Sequence, residues 1–201
     1  MKQFYPLLLL LCCSISAVAK DMEGYLVTKD NDTVRIHISR AQLRQFMLSG
    51  VSIQVRDQPD RIAVYTVKDI NGCGYLEQGR WVHYRVKPVA KGGQYFLELL
   101  AEGPNVSVYQ YMQNIAMYGG SSVLQEFYTI EKSNGKILYL TNYNPLPDFD
   151  KGLKEFFKEY AGIDELIAPL FVRRGKVQED MQQVMDFVNG KAATAPVAVK
   201  P

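Results

Sequence analysis

Three cysteines, two histidines and one tryptophan are all that 201 residues supply of these types. Each shortage closes off some chemistry. Cys12 and Cys13 fall in an apolar leader, so Cys73 is the only thiol of the remaining chain. A single cysteine forms no internal disulfide, and the fold must stand on its core. A zinc site needs three or four ligands at short spacings, which His37, Cys73 and His83 do not provide. No metal or other cofactor is therefore expected. Gly72-Cys73-Gly74 lacks the length and the lysine of a phosphate-binding loop. Charge of one sign is also missing: 23 Lys and Arg stand against 21 Asp and Glu. That balance points away from nucleic acid and from anionic membrane surfaces. Nor does any apolar run reach the length of a transmembrane helix, so no span is expected in the processed chain.

What is present begins with an export signal. Lys2 supplies a positive start, Leu7 to Leu11 an apolar run, and Ala17-Val18-Ala19 a small-x-small cleavage pattern. Cleavage after Ala19 leaves 182 of the 201 residues, enough for one domain with a real core. The expected location is the periplasm or the outer membrane's surface, or outside the cell. Lipid attachment at Cys12 or Cys13 is the alternative. It is disfavoured because Leu11 stands where a lipobox has a small residue.

From residue 20 to 142 the pattern is one of strands. Gly24–Thr28 and Thr33–Ile38 flank the polar turn Lys29-Asp30-Asn31-Asp32. Val34, Ile36 and Ile38 alternate with Thr33, Arg35 and His37, as a half-buried strand requires. Ser39-Arg40-Ala41-Gln42 matches a capping box, with Leu43, Phe46 and Met47 at helical spacing and Gly50 as terminator. A helix near 40–49 is therefore expected to interrupt the strands. Val51, Ile53 and Val55 resume alternation. Ile62 to Ile70 reads as another strand, broken by Asn71-Gly72-Cys73-Gly74. Further strands are expected at Trp81–Val86, Tyr95–Leu100, Val106–Met112, Phe127–Ile130 and Ile137–Leu140. Asn134-Gly135 is a strong hairpin signal between the last two.

Residues 143–190 change character. Asp148 can cap a helix whose apolar face is Leu153, Phe156, Phe157 and Tyr160. Asp164–Phe171 is a shorter piece compromised by Pro169. Gln178–Asn189 is the third, with Gly190 as its stop. Residues 191–201 lack periodicity and read as a disordered tail. The fold class is α+β: a mainly antiparallel β-rich domain, as a roll, half-barrel or sandwich, with one inserted helix and two or three C-terminal helices.

Gly24-Tyr25-Leu26-Val27-Thr28 followed by Asn31-Asp32-Thr33-Val34 resembles the opening of a group of uncharacterised exported proteins of Bacteroidota. Asn31 stands where that group usually has Gly. Tyr95 to Gly103, the tyrosine-rich Val106 to Met112, and Lys151 to Phe157 are similar to later segments of the same group. In some members such a region precedes an outer-membrane barrel. The resemblance implies an envelope location and no particular activity.

The candidate catalytic pair is Cys73 and His83, a thiol and a base that could meet across neighbouring strands. The bland reading, a small turn residue and a surface histidine, is the favoured one. Glu98 and Glu102 do not make a carboxylate pair, because Glu98 shares a face with Phe96 and Leu100 while Glu102 nears a turn. Ser121 and Ser122 lack the second glycine of a nucleophile elbow. Trp81, Tyr109, Tyr111 and Tyr118 are the candidate binding residues, since exposed aromatics give large, low-entropy contact area. Their competing role is cross-strand packing. The favoured function is non-enzymatic binding or scaffolding of an envelope protein or glycan. The alternatives are an envelope-acting hydrolase using Cys73 and His83, and a lipid-anchored accessory factor.

Overall fold

The computed structural model describes residues 21–58, 61–116, 120–141, 147–171 and 176–192. The export signal, Tyr118 and residues 193–201 lie outside them. Among the described residues the fold is a β-rich α+β arrangement in which ten antiparallel strands form one sheet. The strands are β1 (Met22–Thr28), β2 (Thr33–Ile38), β3 (Ser52–Gln58), β4 (Arg61–Thr66), β5 (Ile70–Glu77), β6 (Arg80–Pro88), β7 (Gln94–Glu102), β8 (Val106–Ala116), β9 (Ser122–Lys132) and β10 (Ile137–Thr141). The helices are α1 (Arg40–Ser49), α2 (Pro147–Phe156), α3 (Ile163–Ile167) and α4 (Val177–Ala192).

The spatial order is β10-β9-β8-β7-β6-β5-β1-β2-β3-β4. Two meanders are joined where β1 pairs with β5. Short hairpins set most of the registers. The Lys29–Asp32 turn holds Asn31 at φ 65, a conformation that asparagine tolerates. Gly135, at φ 82, closes the β9–β10 hairpin at the predicted place.

Period-2 alternation sorts the side chains onto two faces. The inner face lies under the helices. There Leu26, Ile36, Ile38, Ile53, Val55 and Cys73 pack with Leu43 and Phe46 of α1. Farther along the same face Val106, Val108, Tyr128 and Ile130 pack against α2, α3 and α4. Each large apolar side chain buried this way contributes about 1.5–3 kcal/mol. β7 joins the two clusters, with Phe96 in the first and Leu100 against the second.

Helix α1 starts and stops as its sequence dictates. The Ser39 side chain accepts from the Gln42 backbone N–H, and Gln42 returns the bond to the Ser39 N–H. Gly50, at φ 62, ends the helix in the left-handed region.

The structure corrects four boundaries. Ile62–Ile70 is not one strand: β4 ends at Thr66, and β5 runs through the glycines expected to break it. The cause is long-range. A Cβ on Gly74 would lie 2.5 Å from the Tyr25 ring, which crosses from β1 over that position. The first C-terminal helix begins at Pro147, so Asp148 lies inside it rather than at its cap; proline's fixed φ suits a first turn. Gly190 does not stop the last helix, which continues to Ala192. β8 and β9 also extend well past Met112 and before Phe127.

Candidate functional site

The expected catalytic pair is not brought together. Cys73 pairs with Tyr84 and faces inward, while His83 pairs with Gly74 and faces outward. A period-2 strand puts such neighbours on opposite sides of the sheet. Cys73 is also buried, and burial pushes its thiol well above the usual range, only partly offset by Arg85. That favours the inert thiol over the nucleophilic thiolate. Among the described residues no group of three or more His, Cys, Asp and Glu could hold a metal ion. Glu98 and Glu102 also part company. A β-bulge between Leu99 and Ala101 leaves Glu98 opposite Gln110 inside and Glu102 opposite Ser107 outside.

Two of the aromatic candidates serve packing. Tyr109 is buried with Val89 and Leu97 on the outer face, under the Lys87 ammonium 4.9 Å above its ring. Lys87 is itself paired with Glu131. Tyr111 lies between Tyr95 at 5.8 Å and Phe127 at 4.8 Å, a ladder across β7, β8 and β9. Tyr109 is therefore corrected from surface to core.

Trp81 is different. It is 41% exposed on the outer face of β6. Tyr25 lies 5.5 Å from it and His83 lies 6.4 Å from it, nearly parallel to its ring. The Tyr25 hydroxyl and His83 Nδ1 share a hydrogen bond of 2.5 Å. Burial, helped by Arg85 and opposed by Glu102, holds His83 below its ordinary pKa. Register explains the grouping: Arg35, Tyr25, Gly74 and His83 are successive cross-strand partners on β2, β1, β5 and β6. Beside them is a hollow of about 420 Å³ lined by Glu23, Tyr25, Thr33, Arg35, His37 and Trp81, among others. A carboxylate, a guanidinium and an imidazole thus surround an exposed indole.

A second site lies on the inner face, where sequence reasoning expected only core. Tyr84, Glu98, Gln110 and Tyr128 are direct partners on four consecutive strands. They form a polar row between the two apolar clusters. Tyr84 lies opposite Glu98, and Gln178 of α4 donates to Gln110 at 2.8 Å. Gln110 donates to the Tyr128 hydroxyl, which donates to Glu126. Burial, reinforced by Glu77 and opposed by Arg80 and the Tyr84 hydroxyl, raises the Glu98 carboxyl above its usual pKa. Here β7 and β8 separate: their pairing covers only Glu98–Glu102 and Ser107–Gln110. The Gly50 carbonyl enters the gap and accepts from the Phe96 N–H at 2.7 Å. The split leaves a cleft of about 130 Å³. Its sequence signal was a polar residue in the apolar phase of each strand: Glu98 between Phe96 and Leu100, Gln110 between Val108 and Met112.

No family model, curated protein or solved structure matches this chain.

Proposed function

We propose that this chain is a non-enzymatic recognition protein of the bacterial envelope, and that its outer face binds a glycan at Trp81. The exposed Trp81 indole beside a hollow of about 420 Å³ carries this reading. That size falls in the range of about 300–1,000 Å³ typical of small-ligand sites. A sugar presents an apolar face of C–H groups and a rim of hydroxyls. The indole offers a flat surface to the first. Arg35, Glu23 and His37 offer donors and acceptors to the second. Tyr25 is held by its bond to His83, so the platform is ordered before ligand arrives. The envelope location rests on the Lys2 to Ala19 signal and on the Bacteroidota-like motifs. The finer architecture is read as a half-barrel, with β4 and β10 as its open edges. The hydrolase alternative loses its support with Cys73 and His83 on opposite faces.

Trp81 is the only tryptophan, so its emission reports this site directly. Titration with a panel of neutral and amino-sugar oligosaccharides is expected to shift that emission with saturation. By calorimetry, Trp81→Ala weakens the best ligand at least about tenfold, or ~1.4 kcal/mol. A panel without effect, or binding that survives both Trp81→Ala and Tyr25→Ala, overturns the reading.

A further inference from the structure

The inner-face cleft has a chemistry of its own. Its walls are aromatic and thioether groups: Phe46, Met47, Tyr95, Phe96, Tyr111 and Met112. Met47 and Met112 are 47% and 39% exposed and stand at the mouth. Among the described residues, Glu98 is the only charged side chain lining it, and no Lys, Arg or His does so. Beside the Gln113 amide and the tyrosine hydroxyls, the lining offers several acceptors. Glu98 faces Tyr84 across β6 and β7, and a carboxylate has room for several donors. The Gly50 carbonyl has a second lone pair beyond its bond to Phe96. The Ser49 hydroxyl directs its proton at the carbonyls of Phe46 or Ser52, at 3.2 and 3.0 Å, and so presents only lone pairs. The Gln110 amide accepts from Gln178 and gives one of its two N–H donors to Tyr128.

We propose that this cleft is a binding site for a small organic ammonium ion, a primary amine on a short apolar or aromatic group. Three N–H donors on a cation match a carboxylate together with the free lone pairs of Gly50 and Ser49. Electron-rich ring faces stabilise the same charge, and more strongly where water is excluded. Size agrees as well: a dry cavity of about 150 Å³ accommodates benzene, so about 130 Å³ takes one ring or a short alkyl chain. Arg80 acts on Glu98 from outside the cleft's described lining, and the ammonium adds a counter-charge from within the cleft. This site is independent of the outer-face hollow, and neither proposal needs the other.

The test is a titration of the full chain with benzylamine, followed by protein-observed NMR. Saturable shifts are expected at Phe96, Glu98, Gln110 and Gly50. Benzyl alcohol, the neutral near-isostere, should bind at least about tenfold more weakly, ~1.4 kcal/mol. Phenylacetate should not bind. Glu98→Gln should reduce benzylamine affinity by a similar factor while leaving the Trp81 emission response intact. Equal affinity for benzylamine and benzyl alcohol overturns the proposal, as does an unchanged affinity in the folded Glu98→Gln variant or shifts that map away from the cleft. Should that variant fail to fold, the comparison of the two ligands on the unaltered chain decides alone.

Discussion

The two halves of the inner face are covered by different means. Over β1–β3 and β5–β6, one ten-residue helix does the work. It holds by shape: Phe46 meets Tyr84 and Phe96 edge-on, at 4.8 and 5.3 Å. Over β8–β10, three helices are fixed by polar anchors as well. The nearly buried Lys132 ammonium donates to the Phe156 carbonyl and to Glu159, and lies 4.3 Å over the Phe156 ring. Asn189 Oδ1 accepts from the Asn105 and Val106 N–H groups. Asp180 accepts from the Phe171 N–H at 2.7 Å, where φ is 59. Helix α1 has polar ties too, but they sit at its C-terminal end: the Ser49 hydroxyl donates to the Ser52 carbonyl, and the Phe96 N–H donates to the Gly50 carbonyl. That end meets the cleft, with Met47, Ser49 and Gly50.

The largest effects test whether these halves fold as one unit. Phe157 and Phe46 are both fully buried, one in each cluster. Truncating either to Ala should cost about 3–5 kcal/mol from lost burial and the cavity left behind. Because β7 contributes to both clusters, each variant should keep a single urea transition with an unchanged slope. A second transition in Phe157→Ala alone would break the comparison, making the helical half a separate cooperative unit.

Much of the fold was legible because its causes are local. The Ser39–Gln42 box, the Gly50 terminator and the Asn134-Gly135 turn are decided within a few residues. So is the alternation that places Trp81, His83 and Arg85 opposite Val82, Tyr84 and Val86. The errors have distant causes. Gly74 is a strand glycine because Tyr25, far away in sequence, lies over it. Glu102 changes face at a bulge. The polar row of Tyr84, Glu98, Gln110 and Tyr128 exists only through the register of four strands. Tyr109 looked like surface because the Lys87–Glu131 pair that covers it joins β6 to β9.

A smaller pair of effects sharpens the contrast in anchoring. Asp180→Ala leaves the buried Phe171 N–H without its acceptor, which should cost about 1–3 kcal/mol. Ser39→Ala removes a partly exposed cap and should cost about 1 kcal/mol. Hydrogen exchange separates the two mechanisms. Ser39→Ala should speed exchange in α1 and spare α4, and Asp180→Ala should do the reverse. If both variants loosen α1, the helical half is not the stiffer one.

The smallest effect lies on the boundary between the halves, and its sign carries the argument. Burial is the main cause that raises the Glu98 pKa above its ordinary 4.5. A group whose folded-state pKa is raised contributes stability that is complete below its unfolded value. That contribution is lost as the pH rises through the folded value. Ionised Glu98 therefore works against the fold at neutral pH. Glu98→Gln should melt higher than the unaltered chain at pH 7, with the gap closing towards pH 4. Lower stability of that variant at pH 7 would mean that attraction of the carboxylate to Arg80 and the Tyr84 hydroxyl outweighs burial. In that case the polar row is a structural tie between the halves. A higher melting point together with lost benzylamine binding means the reverse: the fold carries an unfavourable charge there, and a cationic ligand relieves it.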